Sequence, residues 1–251
     1  MKKLCLLAVV LVTGVACTND NGSDNEPNIS PTPLTNEQAT RLAQAGYLNL
    51  LAGGAEFEAN SAFLGSQLNE RVRLVGEIDW QNHVGRALVS STDRNDGVTE
   101  VYWDETTVLE RRPDMDGLIS SLGGPDRPWV ARSPEPESRQ LDRLLALVMG
   151  LAIEQPENAI LLQQTEGSSF VRNDVLRTRS VEVLRYGTRN LYWLAVDDES
   201  MLRFEGNSAG GSAPTIIDFL RLGPVNVPRP PEADIVASAT IPEIYSEFAG
   251  N

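Results

Sequence analysis

Several short segments of this chain alternate apolar and polar residues with a period of two, and turn signals separate them. This pattern constrains the fold more than any other feature, because a period of two puts every second side chain on one face of a strand. From Arg71 to Trp80, the residues Val72, Leu74, Gly76, Ile78 and Trp80 point one way. Arg73, Glu77 and Asp79 point the other way, with Val75 among them. Gly85 to Thr92 reads as a second strand, Asn95-Asp96-Gly97 as a turn, Val98 to Trp103 as a third strand and Thr106 to Arg111 as a fourth. Beyond Ser168 a second set begins. Ser180 to Tyr186, Arg189 to Val196 and Met201 to Phe204 read as a meander, and Pro214 to Leu222 as a last strand before the proline-rich Pro224 to Pro231. Short strands joined by turns predict an antiparallel sheet with one face covered.

Helical patterns flank these strands. Thr35-Asn36-Glu37-Gln38 has the form of a capping box. Leu42, Ala43, Tyr47, Leu50 and Leu51 follow on one helical face, Gly46 leaves a gap in it, and Gly53-Gly54 is a natural stop. Ala55 to Leu64 is a candidate continuation of this helix. Pro113 to Pro136 carries five prolines and reads as a long loop, with Trp129 exposed in a polar setting. Leu141, Leu144, Leu145, Val148, Leu151 and Ala152 form a strong apolar stripe, and Pro156-Glu157 opens a shorter helix through Gln163. No internal repeat is visible, and the order of elements is that of an α+β fold.

The N-terminus carries a different signal. Met1-Lys2-Lys3 is a positive n-region, and Leu4 to Val12 is an apolar run of nine. That is short of the roughly 20 residues needed to span a bilayer. Thr13-Gly14-Val15-Ala16 then leads into Cys17. This resembles a bacterial lipobox, in which the cysteine receives a diacylglyceryl group and becomes the mature N-terminus, although Gly14 stands where leucine is commoner. The alternative is an ordinary cleaved signal with a chance cysteine. Two acyl chains anchor a protein stably, at roughly 0.8 kcal/mol per buried CH₂. Thr18 to Pro33 is rich in Asn, Asp, Ser and Pro, with Ile29 its only large apolar residue. It reads as a tether reaching on the order of 20–25 Å. The expected organisation is a signal peptide over 1–16, a lipidated Cys17 and tether over 17–34, a folded domain over 35–232 and a tail over 233–251.

Composition narrows function. Lysine occurs only at Lys2 and Lys3, so the chain after residue 16 has 19 Arg against 35 Asp and Glu, a formal charge of 19 − 35 = −16. That argues against nucleic-acid binding and against adhesion to anionic lipid through charge. With one histidine, His83, and only Cys5 and Cys17, disulfide frameworks, structural zinc and an ordinary His-based triad are disfavoured. Gly206-Asn207-Ser208-Ala209-Gly210 matches the G-x-S-x-G pattern of a nucleophile elbow. Gly/Ser/Ala/Pro loop follows it and the only histidine lies upstream, so a flexible hairpin loop is the better reading. His83 beside Asn82 reads as a surface turn histidine. Asp93, Asn95, Asp96 and Glu100 fail the EF-hand spacing and read as a solvated hairpin tip, and Asp114-Met115-Asp116-Gly117 is weaker still. No pair of carboxylates stands out for glycosidase chemistry. We expect no metal, no cofactor and no catalytic residues.

The lipobox and tether precede a leading helix. A strand series containing Val75-Gly76-Glu77-Ile78-Asp79-Trp80 follows, then a Pro-rich segment and helices. Tyr192-Trp193-Leu194 and Met201-Leu202-Arg203-Phe204 lie in later strands, and Pro224-Val225-Asn226-Val227-Pro228 closes the series. Over roughly residues 35–230 this resembles the LolA-like group, in particular the LppX/LprG type of lipoprotein. The resemblance rests on element order and short matches. It implies a strongly curved antiparallel sheet, a half-barrel, with helices covering its concave face. It also implies an apolar cavity that holds lipid acyl chains, each methylene contributing about 0.8 kcal/mol. The lining would come from Ile78, Trp80, Val101 and Trp103 of the sheet and Leu144, Val148 and Leu151 of a helix. An apolar strand face opposite an apolar helix stripe is equally an ordinary filled core.

The expected function is therefore that of a lipid-anchored protein on the extracytoplasmic side of the cell membrane. It would bind a lipid or similar amphiphile for transport or presentation, with an envelope transport protein as a possible partner. The alternative is a protein–protein interaction module on the same fold, with a filled core and Trp129 as its contact.

Overall fold

The structure is a computed structural model that describes residues 32–62, 71–91, 98–121, 125–126, 128–206 and 214–238. The lipobox with Cys17, the nucleophile-elbow serine Ser208 and the hairpin-tip residues Asp93 to Asp96 lie outside the described residues.

Helix α1 (Asn36–Ala52) starts where the capping box predicts. The Thr35 hydroxyl accepts from the Gln38 amide at 3.2 Å, and the Gln38 side chain accepts from the Thr35 amide at 3.1 Å. Gly53, at φ 89°, ends the helix in a backbone conformation that favours glycine. The next residues turn into strand β1 (Gly54–Ala62), which corrects the expected helical continuation. Ala55, Phe57, Ala59 and Ser61 alternate inward, and β1 pairs with a strand on each side. Those two ladders outweigh the local helix preference of the Ala-Glu-rich stretch.

Strands β2 (Arg71–Asp79), β3 (Val84–Ser91), β4 (Thr99–Trp103) and β5 (Val108–Arg111) fall where strands are predicted, to within a residue or two. The expected long loop is only partly loop. It contains α2 (Pro113–Ser121), with proline at its first position where a missing N–H costs nothing, and the strand β6 (Trp129–Arg132). Helices α3 (Gln140–Gly150) and α4 (Ala159–Gln164) come next, α4 capped by the Asn158 side chain. Then come β7 (Ser169–Leu176), β8 (Arg179–Tyr186), β9 (Asn190–Ala195), β10 (Met201–Gly206) and β11 (Thr215–Leu222). A short strand β12 (Ile235–Ala237) joins the sheet inside the stretch expected to be tail.

All twelve strands form one open, curved sheet in the order β12-β6-β5-β4-β3-β2-β1-β11-β10-β9-β8-β7, a half-barrel. Every pairing is antiparallel except β12 with β6. The first and second strand sets meet at β1 and β11 in the middle. Close approach fixes two glycines. A Cβ at Gly76 would stand 2.1 Å from the Arg86 carbonyl oxygen, and one at Gly85 would stand 2.2 Å from the Trp103 ring.

The main core joins α1, α3, α4 and one sheet face. Leu42, Leu145, Val148 and Leu162 from the helices meet Phe57, Leu74, Ile78 and Phe219 from the strands. On the opposite face a smaller cluster of Tyr102, Leu109, Trp129 and Val227 forms under the proline-rich C-terminal segment. Arg229 reaches over the Tyr102 ring at 5.9 Å. A further cluster of Val181, Val183, Trp193, Ala195 and Leu202 lies on strands β8 to β10, and cross-strand ion pairs also cross that face. Arg73 grips Glu58 with two bonds of 2.8 Å, and Arg203 grips Asp218 with two of 2.9 Å. Guanidinium groups suit such two-point contacts better than ammonium groups do.

Candidate functional site

The seven residues expected to line a cavity are all buried and all belong to the main core. They come together in one packed core. Sheet and helix also touch directly there: the Trp80 indole N–H donates to the Val148 carbonyl at 3.2 Å. Trp80 packs edge-on against Phe219 at 5.5 Å, and Phe57 against Trp103 at 6.4 Å. The buried Trp103 Nε1 has no hydrogen-bond partner.

Trp129 is not exposed. It is 6% accessible, packed with Tyr102, Leu109 and Val227, and its strand is flanked by Ile235 of β12. The cover comes from residues a hundred positions away, which local polarity cannot reveal. His83 lies at the surface as expected, with Nδ1 3.3 Å from Glu105. Glu100 is held by Arg86 at 2.7 Å and Arg111 at 2.8 Å. Asp116 is in α2, with its buried Oδ1 unpartnered. Among the described residues no three His, Cys, Asp or Glu side chains are grouped so as to hold a metal ion.

A charged clasp fixes α3 to the sheet. Arg132 of β6 lies between Glu110 of β5 and Asp142 in the first turn of α3, all three nearly inaccessible. Burial opposes the Arg132 charge, but the hydrogen bonds and charge of Asp142 and the charge of Glu110 outweigh it, so its pKa is raised. The link between α3 and α4 is stitched to α1. The Ile153 amide donates to the Gly46 carbonyl at 3.2 Å, the Glu157 amide to Ala43 at 2.9 Å, and Asn49 Nδ2 to the Leu151 carbonyl at 2.8 Å.

Two recesses border this layer. One, of about 50 Å³, lies between α1, the α3–α4 link and Tyr186, Tyr192 and Met201. Burial, with the charge of Glu157 and the neighbouring Tyr186, pushes the Tyr192 phenol above its ordinary pKa.

The other is a groove of about 460 Å³. It opens where β10 and β11 part. Their pairing runs from Gly206–Thr215 to Arg203–Asp218 and stops there. β10 is irregular between Met201 and Arg203, and β11 continues along β1 to Leu222 across a second irregularity at Glu56/Phe57. Bulges commonly re-aim strands beside binding sites. The last turns of α1 roof this fork, so Leu48, Leu51, Leu202, Phe219, Leu220 and Leu222 give an apolar lining, while Arg179, Asp198 and Arg221 also border it. Of the expected lining residues none is here, and Leu151 alone borders the smaller recess. One signal for the groove was in the sequence. Asn49 follows Leu42 by two helical turns, so it is a polar residue on the apolar stripe of α1.

No family model matches the chain, and no curated protein sequence matches it. Solved structures do match. The chain is similar to the Mycobacterium tuberculosis lipoprotein LppX, at 11% identity over 77% of this chain and 96% of that one, with a TM-score of 0.46. An uncharacterized conserved protein from Thermus thermophilus matches at 10% identity over 78% of this chain and 96% of its own, TM-score 0.40. A chain of the Pseudomonas aeruginosa MucA/MucB complex matches at 14% identity over 77% of this chain and 58% of its own, TM-score 0.34. The expected likeness to the LppX type is thus found among solved structures, and at these identities it concerns the fold alone.

Proposed function

We propose that this protein is a lipid-anchored envelope protein that binds a lipid-like amphiphile for transport or presentation, with no catalytic chemistry of its own. The anchor would be Cys17, and the tether would hold the domain just outside the membrane. The observation that carries the reading is the groove at the β10–β11 fork, whose wall is apolar in part and polar in part. Its volume falls in the range of small-molecule sites, roughly 300–1,000 Å³. The proposal moves the ligand away from the gap between sheet and α3, where Trp80 and Val148 are already in contact. Extraction of the purified protein with organic solvent, followed by mass spectrometry, tests it. About one amphiphile per chain is expected; none at all would contradict the reading.

A second reading has its own observation. The Trp80–Val148 contact is what a filled core would show, and a filled core leaves a protein-docking module on the same fold. Ile160 and Leu161 of α4 are 64% and 62% exposed, and they replace the buried Trp129 as its contact. Cross-linking in intact cells should then lose a partner band in an Ile160→Ser, Leu161→Ser double variant, and a band that persists would exclude this contact.

A further inference from the structure

Ile160 and Leu161 of α4 are the one pair of large, exposed apolar residues adjacent in sequence among the described residues. Their helix is firmly held. Leu162 is buried in the main core, and the Asn158 side chain accepts from the Ile160 and Leu161 amides at 3.0 and 3.2 Å. The chain enters the fold beside them. Gln163, three residues from Ile160 and so its neighbour on the helix surface, donates through Nε2 to the Leu34 carbonyl at 2.7 Å. Thr32 exchanges two backbone hydrogen bonds, of 3.0 and 2.8 Å, with Phe170 at the start of β7. From Thr32 to Cys17 is a path of only 32 − 17 = 15 residues.

From this we infer that Ile160 and Leu161 seat the domain on the bilayer that holds its anchor, dipping into the headgroup boundary of an electrically neutral membrane surface. The inference rests on the reading of Cys17 as a lipid anchor and adds which face of the domain meets the lipid. A tether makes the contact intramolecular, so a weak contact suffices. Moving two aliphatic side chains partly out of water favours the seated state roughly tenfold. Charge selects the lipid. From Leu151 to Val171 there is no lysine or arginine, while Glu154, Glu157 and Glu166 are exposed. An anionic surface would repel this face. The docking reading above gives the same pair to a protein; the short path from Thr32 to Cys17 favours the bilayer.

The test uses the full-length, lipidated protein in phosphatidylcholine vesicles, with a nitroxide label at one of two exposed sites. Gln164→Cys places it on α4, three residues after Leu161. Glu105→Cys places it in the turn between β4 and β5, toward the other end of the sheet. Electron paramagnetic resonance then compares collisions with oxygen, which concentrates in lipid, and with a water-soluble nickel chelate. The oxygen-to-nickel ratio at Gln164→Cys should be several-fold above that at Glu105→Cys. Adding Ile160→Ser and Leu161→Ser, both at exposed positions, should bring the two ratios together while the protein still floats with the vesicles. Anionic phosphatidylglycerol in the vesicles should lower the ratio at Gln164→Cys, and high salt should restore it. Equal ratios at the two sites, or a raised ratio that the serine variant keeps, overturns the inference; if the protein floats, the anchor reading stands. If the protein does not float with the vesicles, both fall. Equal ratios together with a cellular cross-link that the serine variant loses give the pair to a protein partner instead.

Discussion

A few residues in this protein are held by charge, and charge makes sharp predictions. Removing one partner of the Arg132 clasp leaves an uncompensated buried ion. Asp142→Ala should cost about 3–5 kcal/mol, read by urea denaturation. Glu58 tests the exposed pairs. Hydrogen bonds from Arg73 and Asn60 lower its pKa from an ordinary 4.5 to about 2. A lowered folded-state pKa gives stability that is present above the ordinary value and is lost as pH falls through the folded one. The stability gap between the protein and its Glu58→Gln variant should therefore close between pH 4.5 and 2. Above that window salt should narrow the gap, because the pair is exposed. The residues of the candidate groove were only faintly legible in the sequence. Asn49 is a polar residue on the apolar stripe of α1 that the sequence reading passed over, and the partner of its amide, the Leu151 carbonyl, is 102 positions away. Trp129 shows the same limit in reverse, since its polar neighbours in sequence do not cover it in space.

Elements were easier to read, because caps and periodicity are local. The capping box of α1 is present as predicted, and Thr35→Ala should cost about 1 kcal/mol in thermal or chemical unfolding. Strands β2 to β5 lie where the sequence placed strands, although in β4 and β5 consecutive residues are buried on both faces. Failures came where local chemistry and long-range pairing disagree. Ala55–Ala62 has a helix-forming composition, but β2 and β11 claim it as a central strand. The proline-rich stretch conceals α2 and β6, because proline opens a helix as readily as it breaks one. Strand β3 offers a direct check on close packing. In Gly85→Ala the added methyl would enter the Trp103 ring, and about 1–3 kcal/mol should be lost.

At the scale of the whole molecule, the α+β class and the curved sheet under its helices were legible, and the strand order was not. Pairing the first strand with the eleventh joins residues about 160 positions apart, and no local signal encodes that. Volume is the other quantity a sequence does not carry. The predicted lining residues did gather in one core, but at Trp80 and Val148 they meet, and open space lies instead where β10 and β11 separate. The function proposed for the chain depends on that space holding a guest. Native mass spectrometry of the protein released gently from its source tests this most directly. The account predicts a chain mass increased by one amphiphile, and the bare mass alone for Leu51→Trp. A bare mass for the unaltered protein, or an adduct that Leu51→Trp retains in full, would contradict it.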